Sequence, residues 1–187
     1  ITHTSGNVNF AGSTVNINSS ISLTISAPSL NFNNVNFNVV GGGSRTISGG
    51  MNVLGNLVIQ DDGSGMSGTI NASGNVTLSN SGFDQSGASA TLNLTGVSST
   101  NLTVTGAAVT PNLIVSKTSG AVVNLATAVN LASPKTLTVN TGAGLVMNSF
   151  NLTVGGVTTN NGSIARGPGT CGTFTTGSLV GNAVTCP

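Results

Sequence analysis

The chain has 187 residues, and only 4% of them are charged, against about a quarter in an ordinary soluble domain. A formal net charge of +1 cannot neutralise a run of phosphates, so nucleic-acid binding is not expected. General acid–base chemistry has few candidates, because the carboxylates are Asp61, Asp62 and Asp84 and the one imidazole is His3. We therefore expect a protein that is not an enzyme and that uses no cofactor.

The rest of the composition predicts one all-β domain over residues 1–187. The hydrophobic fraction is 37%, and it lies in short blocks in which apolar residues alternate with Asn, Ser and Thr. This period of two is typical of half-buried strands, and no window has a helical period. No apolar run approaches the ~18–20 residues of a membrane span, so none is expected.

The first predicted element is an alternating segment at residues 1–25. It has no charged cap, and an uncharged terminal strand can pair with another chain. The apolar positions that we expect to define this intersubunit strand are Ile1, Val8, Phe10, Val15, Ile17, Ile21, Leu23 and Ile25. The long strand-like run at residues 29–40 is a second candidate edge.

The next predicted feature is a turn at Asp61, Asp62 and Gly63. Two interpretations are open here. The first is an ordinary Asp-Gly turn, which we favour because adjacent strand residues point to opposite faces. The second is a weak calcium site formed by Asp61 and Asp62, since Ca²⁺ prefers carboxylate and carbonyl oxygens. We expect no metal.

A short phrase recurs along the chain, in which Asn precedes an apolar, a variable and a second apolar residue. Its asparagines are Asn56, Asn75, Asn101, Asn112 and Asn151. Regular short strands without helices between them indicate either a β-sandwich or a solenoid. A solenoid stacks like residues about 4.8 Å apart, which favours Asn ladders and disfavours charge. We therefore predict a parallel β-solenoid with roughly 20–25 residues per coil, with a β-sandwich as the alternative.

The segment PNLIVSKTSG at residues 111–120 continues as AVVNLATAVNLASPKTLTVNTGAGLVMNSFNLTVGGVTTNNGSI. This sequence resembles the repeats of secreted bacterial surface proteins, namely filamentous-haemagglutinin-like adhesins and autotransporter passengers. The resemblance covers roughly residues 91–165. It implies a right-handed parallel β-helix, a role in adhesion, scaffolding or surface display, and no catalytic residues.

The last predicted feature is a disulfide between Cys171 and Cys186, which closes a C-terminal loop over residues 171–186. Two cysteines in one short terminal segment are typical of an exported protein. The chain opens at Ile1 without a signal peptide, so we expect a mature secreted chain at the cell surface or outside the cell.

The main functional hypothesis is a structural subunit of an extracellular filament or surface layer. Copies would join end to end through strand pairing at residues 1–25, so the expected partner is the protein itself. Host or surface glycans are a second candidate partner. The alternative is a monomeric binding module, either a carbohydrate-binding adhesin stalk or an ice-binding β-solenoid. Its ligand face would consist of Thr103, Thr105, Thr136 and Thr138.

Overall fold

The structure is a computed structural model, and it describes residues 10–18, 21–39, 43–61, 65–79, 89–106 and 110–186. These residues form 18 strands in one sheet and no helix. The strands are β1 (Phe10–Ile17), β2 (Leu23–Ser26), β3 (Asn31–Val39), β4 (Arg45–Val53), β5 (Leu57–Asp61), β6 (Met66–Ala72), β7 (Val76–Ser79), β8 (Ala90–Leu94), β9 (Thr100–Thr105), β10 (Asn112–Val115), β11 (Val122–Leu125), β12 (Val129–Leu131), β13 (Leu137–Val139), β14 (Gly144–Val146), β15 (Leu152–Asn160), β16 (Ser163–Ala165), β17 (Phe174–Gly181) and β18 (Val184–Thr185).

The strands of the described ranges pair in parallel and stack along one axis. Three faces result. Face A consists of the second parts of β1 and β3, then β5, β7, β9, β11, β14, β16 and β18. Face B consists of the first residues of β1 and β3, the second halves of β4 and β6, then β8, β10, β13, and the second halves of β15 and β17. Face C contains β2 and the first halves of β4 and β6 at one end of the stack, and β12 and the first halves of β15 and β17 at the other.

This arrangement confirms the predicted parallel β-solenoid and excludes the β-sandwich, whose neighbouring strands are antiparallel. Residues that are stacked in adjacent coils are separated by 19 to 26 residues, close to the predicted coil length. The solenoid core is a set of inward rows, one example being Val35, Leu57, Val76 and Leu102, all of them buried. Strand alternation therefore produces a continuous apolar interior.

The pairs Gly49-Gly50 and Gly155-Gly156 lie within β4 and β15. β4 passes from face C to face B at Gly49 and Gly50, whose φ angles are +77° and +90°. These angles suit glycine and strain other residues, so the pair lets one strand turn a corner. The register of β15 shifts in the same way between Val154 and Val157.

The expectation that residues 29–40 form an edge is wrong. A turn at residues 27–30 separates β2 from β3, where the amide of Leu30 donates to the carbonyl of Ala27 at 3.1 Å. β3 pairs with β1 on one side and with β4 and β5 on the other. The run is therefore an internal strand of the solenoid.

The recurring Asn phrase has a structural cause. The Oδ1 atom of each of four asparagines accepts a hydrogen bond from a backbone amide in the next coil, at 2.8 to 3.0 Å. The pairs are Asn34 with Asn56, Asn75 with Asn101, Asn112 with Thr136, and Asn151 with Thr173. Asn75 and Asn151 precede a strand, Asn112 begins β10, and Asn34 lies within β3 where that strand changes partner from β4 to β5. Each of these side chains therefore satisfies a backbone amide at a corner of the coil.

We expect the Asn112→Ala variant to lower the free energy of unfolding by about 1–3 kcal/mol. Asn112 Oδ1 accepts from both the amide of Thr136, at 3.0 Å, and its hydroxyl, at 3.2 Å. Chemical denaturation measures the change. Asn130→Ala is the control, because the Asn130 side chain is exposed and the bond from the Thr110 hydroxyl goes to the Asn130 backbone carbonyl, which the substitution keeps. Equal losses in both variants would contradict this role for the side chain.

Candidate functional site: the two ends of the solenoid

The core is incompletely covered at the two ends of the solenoid. In the first coil Val15 and Leu23 are half-buried, although the stacked row above Val15 is fully buried. In the last coil Phe174 and Val184 are half-buried, although Leu152 and Ile164, their partners one coil earlier, are buried. Apolar core rows are therefore open to solvent at both ends.

The N-terminal end carries the residues that were predicted to form the intersubunit strand. These residues form two strands, because β1 and β2 pair with β3 and β4 and make up the first coil. The side chains of Ile17 and Ile25 are buried in the core, and that of Ile21 is exposed between the strands. Ile1 and Val8 lie outside the described residues, and for Phe10 only the backbone, paired with Phe32, is described.

Within the described residues, β1 and β2 have no partner strand on their outer side, and the same holds for β17 and β18. An outer edge of this kind presents backbone amides and carbonyls that another strand can bond. The two ends present different strands, since the stack is parallel throughout. Any contact between them is therefore heterologous.

The last coil rests on a more polar interior than the other coils. Thr158 and Asn160 occupy inward positions of β15 and are fully buried. The Thr158 hydroxyl is 2.8 Å from that of Thr176, and Asn160 Nδ2 donates to the carbonyl of Asn182 at 3.0 Å. Above Thr158 lies Leu179, which is 42% exposed. The last coil therefore buries little apolar surface.

The predicted disulfide between Cys171 and Cys186 is present. The two cysteines flank β17 and β18, so the ring that they close contains the whole of the last coil. Arg166 holds the start of this ring, because its Nε donates to the carbonyl of Gly172 at 2.7 Å. The covalent bond thus holds the coil with the weakest hydrophobic support.

Two of the four basic side chains are buried within the solenoid, namely Arg45 and Lys117. The Arg45 guanidinium donates to the backbone carbonyl of Gly43. Lys117 Nζ donates to the carbonyl of Ser73 at 3.1 Å, and this bond spans 44 residues, which is two coils. Burial lowers the pKa of Lys117 below its usual 10.5. The exterior of the described solenoid consequently has even less charge than the sequence suggests.

The four threonines of the alternative ligand face do not come together. Thr103 and Thr105 lie on β9 of face A, and Thr138 lies on β13 of face B. Thr136 precedes β13, and its hydroxyl donates to Asn112. The four threonines stand in similar short segments of the sequence, but the sequence does not indicate on which face of the solenoid each segment lies.

Metal ligands are sparse in the described structure. Asp61 ends β5 and Asp62 lies outside the described residues. No group of three or more His, Cys, Asp or Glu side chains that could hold a metal ion occurs in the described ranges. The same ranges contain no helix long and apolar enough to span a membrane.

Comparisons with known proteins give no match: no family model, no curated protein and no solved structure is significantly similar to the chain. The fold and the geometry of its ends are therefore the basis for a functional proposal.

Removal of the disulfide is expected to loosen the last coil selectively. A closed loop of this length contributes roughly 3 kcal/mol in the chain-entropy model. Because the backbone ladder joins the last coil only to the coil before it, the loss stays local. In the double variant Cys171→Ala, Cys186→Ala, amide hydrogen exchange should accelerate in β17 and β18 and stay unchanged in β10 and β13. Undiminished protection of β17 would contradict this.

The buried Lys117 predicts a pH dependence of stability. Its lowered pKa means that the unfolded chain binds this proton more tightly than the folded protein. The free energy of unfolding should therefore rise as the pH is raised from the lowered pKa to the usual 10.5.

Few other groups titrate in this range, because the chain has no Tyr and both cysteines are disulfide-bonded. Denaturation of the wild type between neutral and alkaline pH measures the rise. Lys117→Met should abolish it, and Lys135→Met, which alters the other lysine, should retain it. A rise that persists in Lys117→Met would assign it to another group.

Proposed function

We propose that this protein is the subunit of an extracellular filament in which copies stack end to end. The observation that carries the proposal is the exposure of the core at the two ends. Val15, Phe174 and Val184 are half-buried at positions whose stacked equivalents inside the solenoid are fully buried. A second copy that continued the stack would complete this burial, which is the main favourable term in association.

The parallel topology supports continuation of the stack. The last coil ends with β17 and β18, and the first coil begins with β1 and β2, so one copy can add its first coil to the last coil of another. Such a contact joins unlike surfaces and does not close on itself. It therefore generates an open filament, with backbone hydrogen bonds across the junction.

The charge distribution also favours assembly. The net charge of +1 gives little repulsion between copies. Soluble solenoids normally protect their ends with polar or charged caps. On the last described coil, Leu179, which continues an inward row, is instead 42% exposed.

An extracellular location is part of the same proposal. The disulfide is compatible with an oxidising compartment. The resemblance of residues 91–165 to secreted bacterial surface proteins agrees with this location, and adhesion through the filament sides is a further role that this resemblance suggests.

The Leu179→Lys variant tests the proposal at the C-terminal end. Leu179 continues an inward row and is 42% exposed, so a lysine there can keep its ammonium in water in the isolated subunit. A stacked copy would bury that charge at a large cost. We expect the variant to fold with a melting temperature near that of the wild type and to form no filaments.

Val97→Lys is the matched control, because Val97 is 68% exposed in the turn between β8 and β9, away from both ends. It adds the same charge and should assemble normally. Negative-stain electron microscopy and sedimentation measure assembly. Trace amounts of Leu179→Lys subunits, whose N-terminal end is intact, should also shorten wild-type filaments by capping them. Separate rods of wild type at every concentration would refute the proposal.

A further inference from the structure

Face B presents three outward rows of uncharged side chains, most of them Thr, Ser or Asn, that run along the solenoid axis. They alternate with buried residues, as in β8, where Thr91 and Asn93 alternate with Leu92 and Leu94. The first row contains Thr69, Thr91, Asn112, Thr136, Val157 and Ser178. The second contains Asn52, Asn71, Asn93, Ile114, Thr138, Thr159 and Val180. The third contains Leu54, Ser73, Thr95, Ser116, Asn140, Asn161 and Asn182.

Side-chain hydrogen bonds between coils hold these rows in place. In the second row, Asn71 Nδ2 donates to Asn52 Oδ1 at 2.9 Å, and Asn93 Nδ2 donates to Asn71 Oδ1 at 3.0 Å. In the third row, the Ser73 and Thr95 hydroxyls are 3.0 Å apart, and Asn140 Nδ2 donates to Ser116 Oγ at 2.8 Å. A partner therefore meets side chains that are already ordered, so less entropy is lost on binding.

The three rows contain no charged and no aromatic residue. A surface without aromatic rings lacks the usual platform for stacking a sugar. Uncharged side chains at a regular spacing instead suit a second surface of the same kind, as in the dry interfaces between stacked sheets with Asn ladders. Face B is thus compatible with a second copy of itself, since no like charges oppose the contact.

We infer that face B is the lateral contact through which two filaments of this protein associate. This inference rests on the proposed end-to-end assembly, for the following reason. The rows span about five residues across and seven strands along the axis, which corresponds to roughly 550 Å² per subunit. Two subunits would bury about 1,100 Å², below the ~1,600 Å² of a standard stable interface. A filament repeats the contact along its length, so avidity makes it stable.

Two threonines on different faces, Thr138 and Thr103, provide a matched test. Thr138 lies in the second row of face B, and Thr103 lies on face A; both are half-buried on the outside of a strand. Thr138→Lys and Thr103→Lys each raise the net charge by one. We expect both variants to form filaments. At low ionic strength, Thr103→Lys filaments should form bundles as the wild type does, whereas Thr138→Lys filaments should not. At ~1 M salt the Debye length is about 3 Å, so repulsion between the introduced lysines is screened. Thr138→Lys filaments should then bundle again.

Electron microscopy of filament width and low-speed pelleting provide the readout. If both variants lose bundling equally, or if wild-type filaments stay single under all conditions, the inference is wrong although the filament proposal stands. If the wild type forms no filaments, the proposed function fails, and the inference fails with it. Leu179→Lys subunits, which cannot stack end to end, should remain monomeric in sedimentation, and a lateral dimer of them would overturn the area argument.

Discussion

Parallel stacking in register places each side chain above its equivalent one coil earlier, and most of this structure follows from that constraint. Like charges stacked about 4.8 Å apart repel strongly, which accounts for a chain with 4% charged residues. Amides instead bond along such a row, as the Asn52, Asn71 and Asn93 ladder does. The two buried cations fit the constraint because each donates a hydrogen bond to a backbone carbonyl.

Stacking also distinguishes the interior of the solenoid from its ends, because the end coils lack a described neighbour on their outer side. Each internal coil has a neighbour above and below, whereas the first and last coils have one described neighbour each. The ends therefore combine exposed backbone edges with half-buried core residues such as Val15 and Phe174. The proposed filament forms through the ends of the solenoid, and the proposed lateral contact forms through face B. The two contacts are therefore successive stages of one assembly.

The sequence predicted the fold class, because alternation and low charge are properties of short windows. It also revealed the phrase that begins with Asn, although not its cause: the bond from Asn75 Oδ1 to the amide of Asn101 depends on which residues are stacked. Coil lengths vary from 19 to 26 residues, so the register could not be counted from the sequence. For this reason the sequence alone does not show that Thr103 and Thr138 lie on different faces, or that the long run containing β3 is an internal strand.

The closed ring at the C-terminus has a mechanical consequence. In the proposed filament, tension enters each subunit through β17 and β18, because these strands form the junction with the next copy. To peel the last coil off strand by strand, its two ends would have to move apart, and the bond between Cys171 and Cys186 keeps them together. The last coil can then come away only as one closed ring, so its hydrogen bonds to β15 and β16 share the load.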